Sequence, residues 1–199
     1  MSDPTTLRAL AGLPLEPAPL SDSALILIDC QNTYTYGVME LAGVQAALDE
    51  AAGLLDRARS AGIPVIHIQH DDGPGSLYDV SGHSGAIVDR VAPRDGEHLV
   101  VKNYPNSFVA TDLDEKLKAL NAQNLVIAGF MTHMCVNSTA RGAFNLGYSP
   151  TVVAAATATR ALPGVAHGEV SAESLQAASL AALSDLFAVV VPGTQSIPA

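Results

Sequence analysis

Residues 24–28, Ala24-Leu25-Ile26-Leu27-Ile28, form an unbroken, β-branched aliphatic run that ends in Asp29. A run this short and this apolar, with no polar alternation, is the pattern of a strand buried on both faces, and such strands belong to parallel sheets covered by helices. The chain repeats the pattern. Val65-Ile66-His67-Ile68, Leu99-Val100-Val101, Leu125-Val126-Ile127-Ala128, residues 151–156 and residues 188–191 are further strand candidates. Between them lie helical patterns over 41–59, 113–120, 133–146 and 171–183, the first with Leu48, Ala51, Leu55 and Ala58 on one face and Gly62 past its end. Strands alternating with helices predict an α/β fold: a three-layer α/β/α Rossmann-like domain with a mainly parallel six-stranded sheet.

Residues 1–23 are polar and carry Pro4, Pro14, Pro17 and Pro19, so they are expected to form an extended arm before a single domain over 24–199. Hydrophobic residues make up 48 % of the 199 positions and charged residues 15 %, which excludes a disordered chain. Twenty acids against ten Lys and Arg give a formal charge of −10, which repels nucleic-acid backbones and anionic membranes alike. No apolar run approaches the ~20 residues of a membrane span, and no basic stretch precedes a signal-like apolar run. Two cysteines, Cys30 and Cys135, make no disulfide framework. The expectation is a reduced, cytoplasmic protein acting on a small molecule.

In an open parallel sheet ligands bind beyond the carboxyl ends of the strands. Three of those exits carry reactive side chains: Asp29, Lys102 and, just past the fourth strand, Cys135. Alone, Asp29 is a turn acid, Lys102 a solvated cation and Cys135 a small core residue. Together they place an acid, a cation and a thiol on one edge. A cation and a helix N-terminus lower a thiol from its usual value of about 8.5, so a helix starting near His133 is expected to favour the Cys135 thiolate. Asp29 can then carry the proton as general acid and base. Cys30, one residue further along, faces the other way and reads as core.

The residues Asp29-Cys30-Gln31-Asn32-Thr33-Tyr34, Lys102 with Ser107-Phe108, Gly129-Phe130-Met131-Thr132-His133-Met134-Cys135-Val136 and Thr139-Ala140-Arg141 together resemble the isochorismatase-like cysteine hydrolase superfamily. The resemblance implies an Asp29–Lys102–Cys135 catalytic triad and a cis peptide between Phe130 and Met131. It also implies an oxyanion hole built from the backbone N–H groups of Met131 and Cys135. The implied activity is hydrolysis of a small amide through a thioester, by a homo-oligomer (dimer or tetramer) without cofactor. Hydrolysis of an ether or ester without covalent catalysis, and ligand binding without catalysis, are the alternatives. Tyr34, His70, Phe108 and Thr132 are the candidate substrate-binding residues, and Arg141 is left without a role.

No metal is expected. The metal motif Asp-x-His of the nicotinamidase branch is replaced after the second strand by His70-Asp71-Asp72. His67 and His70 stand three apart near a strand and so face opposite ways.

Overall fold

The computed structural model describes residues 5–166 and 168–199; residues 1–4 of the expected arm lie outside them. Six strands, β1 (Ser23–Ile28), β2 (Val65–His70), β3 (His98–Lys102), β4 (Asn124–Phe130), β5 (Ser149–Ala158) and β8 (Val189–Val191), form one sheet in the order β3-β2-β1-β4-β5-β8. Every neighbouring pair is parallel. Helices cover both faces. α2 (Val44–Ala61) lies on one, burying Leu48, Ala51, Leu55 and Ala58 against Leu25, Leu27, Val126 and Ala128. α3 (Leu113–Ala119), α4 (Asn137–Asn145) and α5 (Ala172–Ser184) supply the other layer, with Leu117, Ala140, Ala143 and Leu183 in the cluster around Ile26, Ile28, Ile66 and Ile127. Burial of each such Leu or Ile contributes about 1.5–3 kcal/mol.

Three local features depart from the reading of the sequence. The proline-rich segment is not wholly extended: Leu7–Leu10 form a short helix, α1, because Thr6 Oγ1 accepts from the Ala9 N–H at 3.1 Å. This segment is tied to the body, Arg8 donating to the carbonyls of Pro14 and Leu186, and the Leu20 N–H to that of Pro198. A two-residue pairing, β6 (Leu162–Pro163) with β7 (Glu169–Val170), forms a small hairpin that the Gly- and Pro-bearing sequence gave no periodicity to reveal. Finally, the segment after β4 begins not as an α-helix at His133 but as a π-turn, Thr132–Val136, in which the Val136 N–H reaches the Met131 carbonyl five residues back at 3.2 Å; α4 starts only at Asn137.

The sheet order reverses direction between β1 and β4. From β1 the chain builds outward through β2 to β3, and from β4 outward through β5 to β8. The crevice at such a reversal is where open α/β sheets bind ligands. Gly129 makes the two central strands meet closely there: a Cβ at this position would lie 2.0 Å from the Ile28 carbonyl oxygen, and its φ of +115° is one that side chains rarely adopt.

Away from that crevice, a polar cluster sits beside α2. His67 Nε2 lies 2.9 Å from Glu97 Oε2, and Arg59 grips the same carboxylate through Nε at 2.7 Å and Nη2 at 3.0 Å.

Candidate active site

β1 ends in Asp29, which turns with φ +49° and donates its N–H to the Ile68 carbonyl at 3.0 Å. That left-handed turn, which Asp tolerates better than most residues, tips the carboxyl group out of the strand direction. β3 ends in Lys102, paired in register with His70 of β2. Both continue the face that carries Val100, Ile66 and Ile68, the layer that also contains Cys135. The Lys102 stem spans the end of β2. Its Nζ donates to Asp29 Oδ2 at 2.7 Å and to Cys135 Sγ at 3.5 Å, and lies 2.9 Å from His70 Nδ1. Asp29, Lys102 and Cys135 are all buried, Cys135 being 5 % exposed. Side chains from three distant stretches thus converge at the β1/β4 crevice.

Burial sets the electrostatics. It raises the Asp29 carboxyl, and the Lys102 ammonium, although it pulls the other way, does not fully offset that. Burial also pushes the Cys135 thiol up, and the nearby Asp29 carboxylate pushes it further against the pull of Lys102. This corrects the expectation of a thiolate favoured by a helix N-terminus. Cys135 stands in a π-turn rather than in the first turn of a regular helix, and desolvation outweighs the cation. Burial and the Asp29 carboxylate both favour the neutral thiol over the thiolate. Cys30 is core: it is buried in the α2 layer, and burial raises its thiol as well.

The Phe130–Met131 peptide is cis, and the Met131 carbonyl receives the N–H groups of both Met134 and Val136. Thr132 is buried, and among the described residues its Oγ1 has no hydrogen-bond partner. The same holds for Asp29 Oδ1. The Asp29 oxygen belongs to the carboxylate that Lys102 holds near Cys135, so it is free to meet a polar group of another molecule there.

Tyr34 stands edge-on to Phe130 and to Tyr78, with centroids 5.8 Å apart in each case, and its hydroxyl lies 3.3 Å from that of Tyr78. Burial, then the proximity of Asp29, raises its phenol. His70 has both ring nitrogens engaged, the second, Nε2, at 3.0 Å from Asp72 Oδ1, and Tyr78 stands edge-on at 4.9 Å. Phe108 stacks its ring on Tyr148 at 5.8 Å and packs against the cluster that also holds Cys135. Arg141 covers the ring of Phe187 at 4.0 Å and donates to Asn137. His67 and His70 do face different partners, Glu97 and Lys102.

Two residues of the site escaped the sequence reading. Tyr78 lies in the Gly- and Ser-rich loop over 71–85, where no periodicity reveals which side chain turns inward. Gln31 is fully buried and clamps that loop: Nε2 donates to the carbonyls of His70 and Gly85, while Oε1 accepts from the His70 N–H. A polar residue three positions past a buried strand was the available signal.

The ligating atoms of Asp29, His70 and Cys135 lie within 4.8 Å of one another, a grouping able to hold a cation. The Lys102 ammonium is hydrogen-bonded to one atom of each, so a cation of the protein's own fills that position.

A family model described as the isochorismatase domain matches residues 23–195. The chain is 31 % identical to a secreted isochorismatase effector of Verticillium dahliae, over 94 % of this chain and 96 % of the relative. It is 34 % identical to the ureidoacrylate amidohydrolase RutB of Stutzerimonas stutzeri, over 73 % and 75 %. Its fold superposes on the crystal structure of an isochorismatase from Pseudomonas putida with a TM-score of 0.94 at 38 % identity, covering 98 % of this chain and 99 % of that one.

Proposed function

The chain belongs to the isochorismatase family of hydrolases, and from that premise we propose that it hydrolyses a small amide through a thioester on Cys135. The observation that carries this reading is the contact of one buried ammonium with both the Asp29 carboxylate and the Cys135 sulfur. In the first half-reaction Cys135 Sγ attacks the amide carbonyl carbon while its proton passes to Asp29. The new oxyanion accepts hydrogen bonds from the Met131 and Cys135 N–H groups. Collapse breaks the C–N bond, and Asp29 returns the proton to the departing amine. In the second, water attacks the thioester carbonyl, giving its proton to Asp29 and then to sulfur, and the carboxylic acid leaves. Lys102 opposes the burial that raises Asp29 and holds its carboxyl group in place. Tyr34 and Thr132 line the acyl pocket.

The likeness to an amidohydrolase over three-quarters of its length supports an amide as substrate. Likeness to an isochorismatase effector supports the second reading, cleavage of an ether or ester with Cys135 passive. Ammonia release from a panel of small amides, with intact-mass detection of an acylated Cys135, separates the two. An acyl adduct is expected on the parent, and turnover without any adduct would favour the passive cysteine. Among the described residues no helix is long and apolar enough to cross a membrane. A thiol nucleophile must stay reduced, which favours the cytoplasm. Leu99 and Val101, 44 % and 46 % exposed on the sheet-edge strand β3, favour assembly into the homo-oligomer the resemblance implies.

A further inference from the structure

An ammonium has three N–H donors and no acceptor. Lys102 Nζ has three neighbours that can accept: Asp29 Oδ2 at 2.7 Å, His70 Nδ1 at 2.9 Å and Cys135 Sγ at 3.5 Å. His70 Nδ1 therefore accepts, which leaves the ring N–H on Nε2, where Asp72 Oδ1 accepts it at 3.0 Å. Every part of that chain is held. The His70 N–H and carbonyl are both bound by Gln31, the ring is walled by Tyr78, and His70 and Lys102 are register partners on adjacent strands.

We propose that His70 is a positioning residue of the active site: its Nδ1 takes one proton of the Lys102 ammonium and so leaves the remaining two aimed at Asp29 and Cys135. The inference rests on the reading of those three as the reacting groups. A lysine stem has four rotatable bonds, and an ammonium held only by a carboxylate can rotate its protons away from a weak acceptor such as sulfur. A second strong acceptor on the far side fixes the rotation. Removal of that acceptor leaves the ion pair intact but frees the ammonium relative to sulfur. Displacements of about 1 Å in such arrangements cost up to about a hundredfold in rate. The groups facing the ring are Lys102, Asp72 and Tyr78, with Asp29 and Cys135 across the ammonium.

Two substitutions divide the ring's two contacts. In His70→Asn the amide oxygen takes the place of Nδ1, so the Lys102 contact survives and the Asp72 contact is lost. In His70→Gln the longer amide takes the place of Nε2, so the Asp72 contact survives and the Lys102 contact is lost. Alkylation of Cys135 by iodoacetamide, followed against pH with peptide mapping, reads the result without any substrate. His70→Asn is expected to alkylate within about threefold of the parent, and His70→Gln about tenfold slower at neutral pH with its profile displaced to alkali. On an amide that the parent turns over, kcat should fall in the Gln variant with KM little changed. Equal rates in the two variants, whether both fast or both slow, would overturn the inference. Should His70→Gln melt too low to assay, His70→Ala, which keeps neither contact, takes its place: it is expected to be about tenfold slower than His70→Asn, and equal rates in this pair would overturn the inference just the same. If the parent releases ammonia from no amide, the amide reading fails while the alkylation comparison still decides the role of His70.

Discussion

Asp29 and Lys102 form an ion pair at 2.7 Å in which neither side chain is exposed to solvent. Such a pair adds little net stability, because both ions lose their hydration, but breaking it leaves a lone buried charge and is expensive. Its presence at the β1/β4 crevice is therefore better explained by chemistry than by folding, and it makes the consequences of mutation asymmetric.

Lys102→Ala is expected to destabilise the fold by about 3–5 kcal/mol at neutral pH, the usual loss on stranding one member of a buried pair. It should also lower turnover by orders of magnitude and displace the alkylation profile of Cys135 to higher pH, since the cation that favours the thiolate is gone. Chemical denaturation and iodoacetamide kinetics measure the two effects. Overlaid alkylation profiles with parent-like turnover would leave Lys102 without a role.

Cys135→Ala removes the sulfur while keeping the π-turn backbone bonds through Met131. The expected loss of stability is small, about 1 kcal/mol, and the expected loss of amide turnover is complete. Ammonia release beside a thermal melt checks both. Activity retained within about tenfold would exclude covalent catalysis.

Chelation should change neither activity nor melting temperature. The space among Asp29, His70 and Cys135 is occupied by the Lys102 ammonium, and a metal there would have to displace a paired cation. Stoichiometric zinc or iron in the purified protein, lost together with activity under chelator, is the result that would contradict this.

Acid should destabilise the protein in two stages. His67 is lowered, chiefly by burial, below its ordinary value near 6.5. The unfolded chain thus binds that proton first, and stability falls as pH drops below about 6.5. Glu97 resists burial through hydrogen bonds from Arg59, the Arg94 N–H and His67, and is brought down to about 2. Its stabilisation is complete above the ordinary carboxylate range near 4.5 and is lost as pH falls towards 2. Melts of the parent, His67→Gln and Glu97→Gln between pH 7 and pH 2 should therefore converge at the acid end. Curves that stay parallel throughout would contradict both assignments.

The architecture was legible because each strand is a closed aliphatic run and α2 keeps Leu48, Ala51, Leu55 and Ala58 on one side. The exits of β1 and β3 could be found by the same route, since Asp29 and Lys102 interrupt such runs at their carboxyl ends. The state of the Cys135 thiol could not. Charge is written in a sequence, whereas desolvation depends on how tightly the helix layer closes around the sulfur. Nor could the π-turn, which is defined by the Val136 N–H choosing the Met131 carbonyl over a nearer one. The stacking of Phe108 on Tyr148 was not legible either, because it joins segments forty residues apart through the packing of the helix layer.

The reversal of sheet direction between β1 and β4 also bears on biosynthesis. Asp29 emerges early from the ribosome and Cys135 late, and they become neighbours only when β4 docks along β1 from Ser23 to Ile28. The turn that carries Cys135 leans in its turn on later chain, through the 2.6 Å contact of His133 with Thr159 and the packing of α5. On the proposed reading of Cys135 and Asp29 as reacting groups, the site is therefore complete only once the chain through α5 has folded.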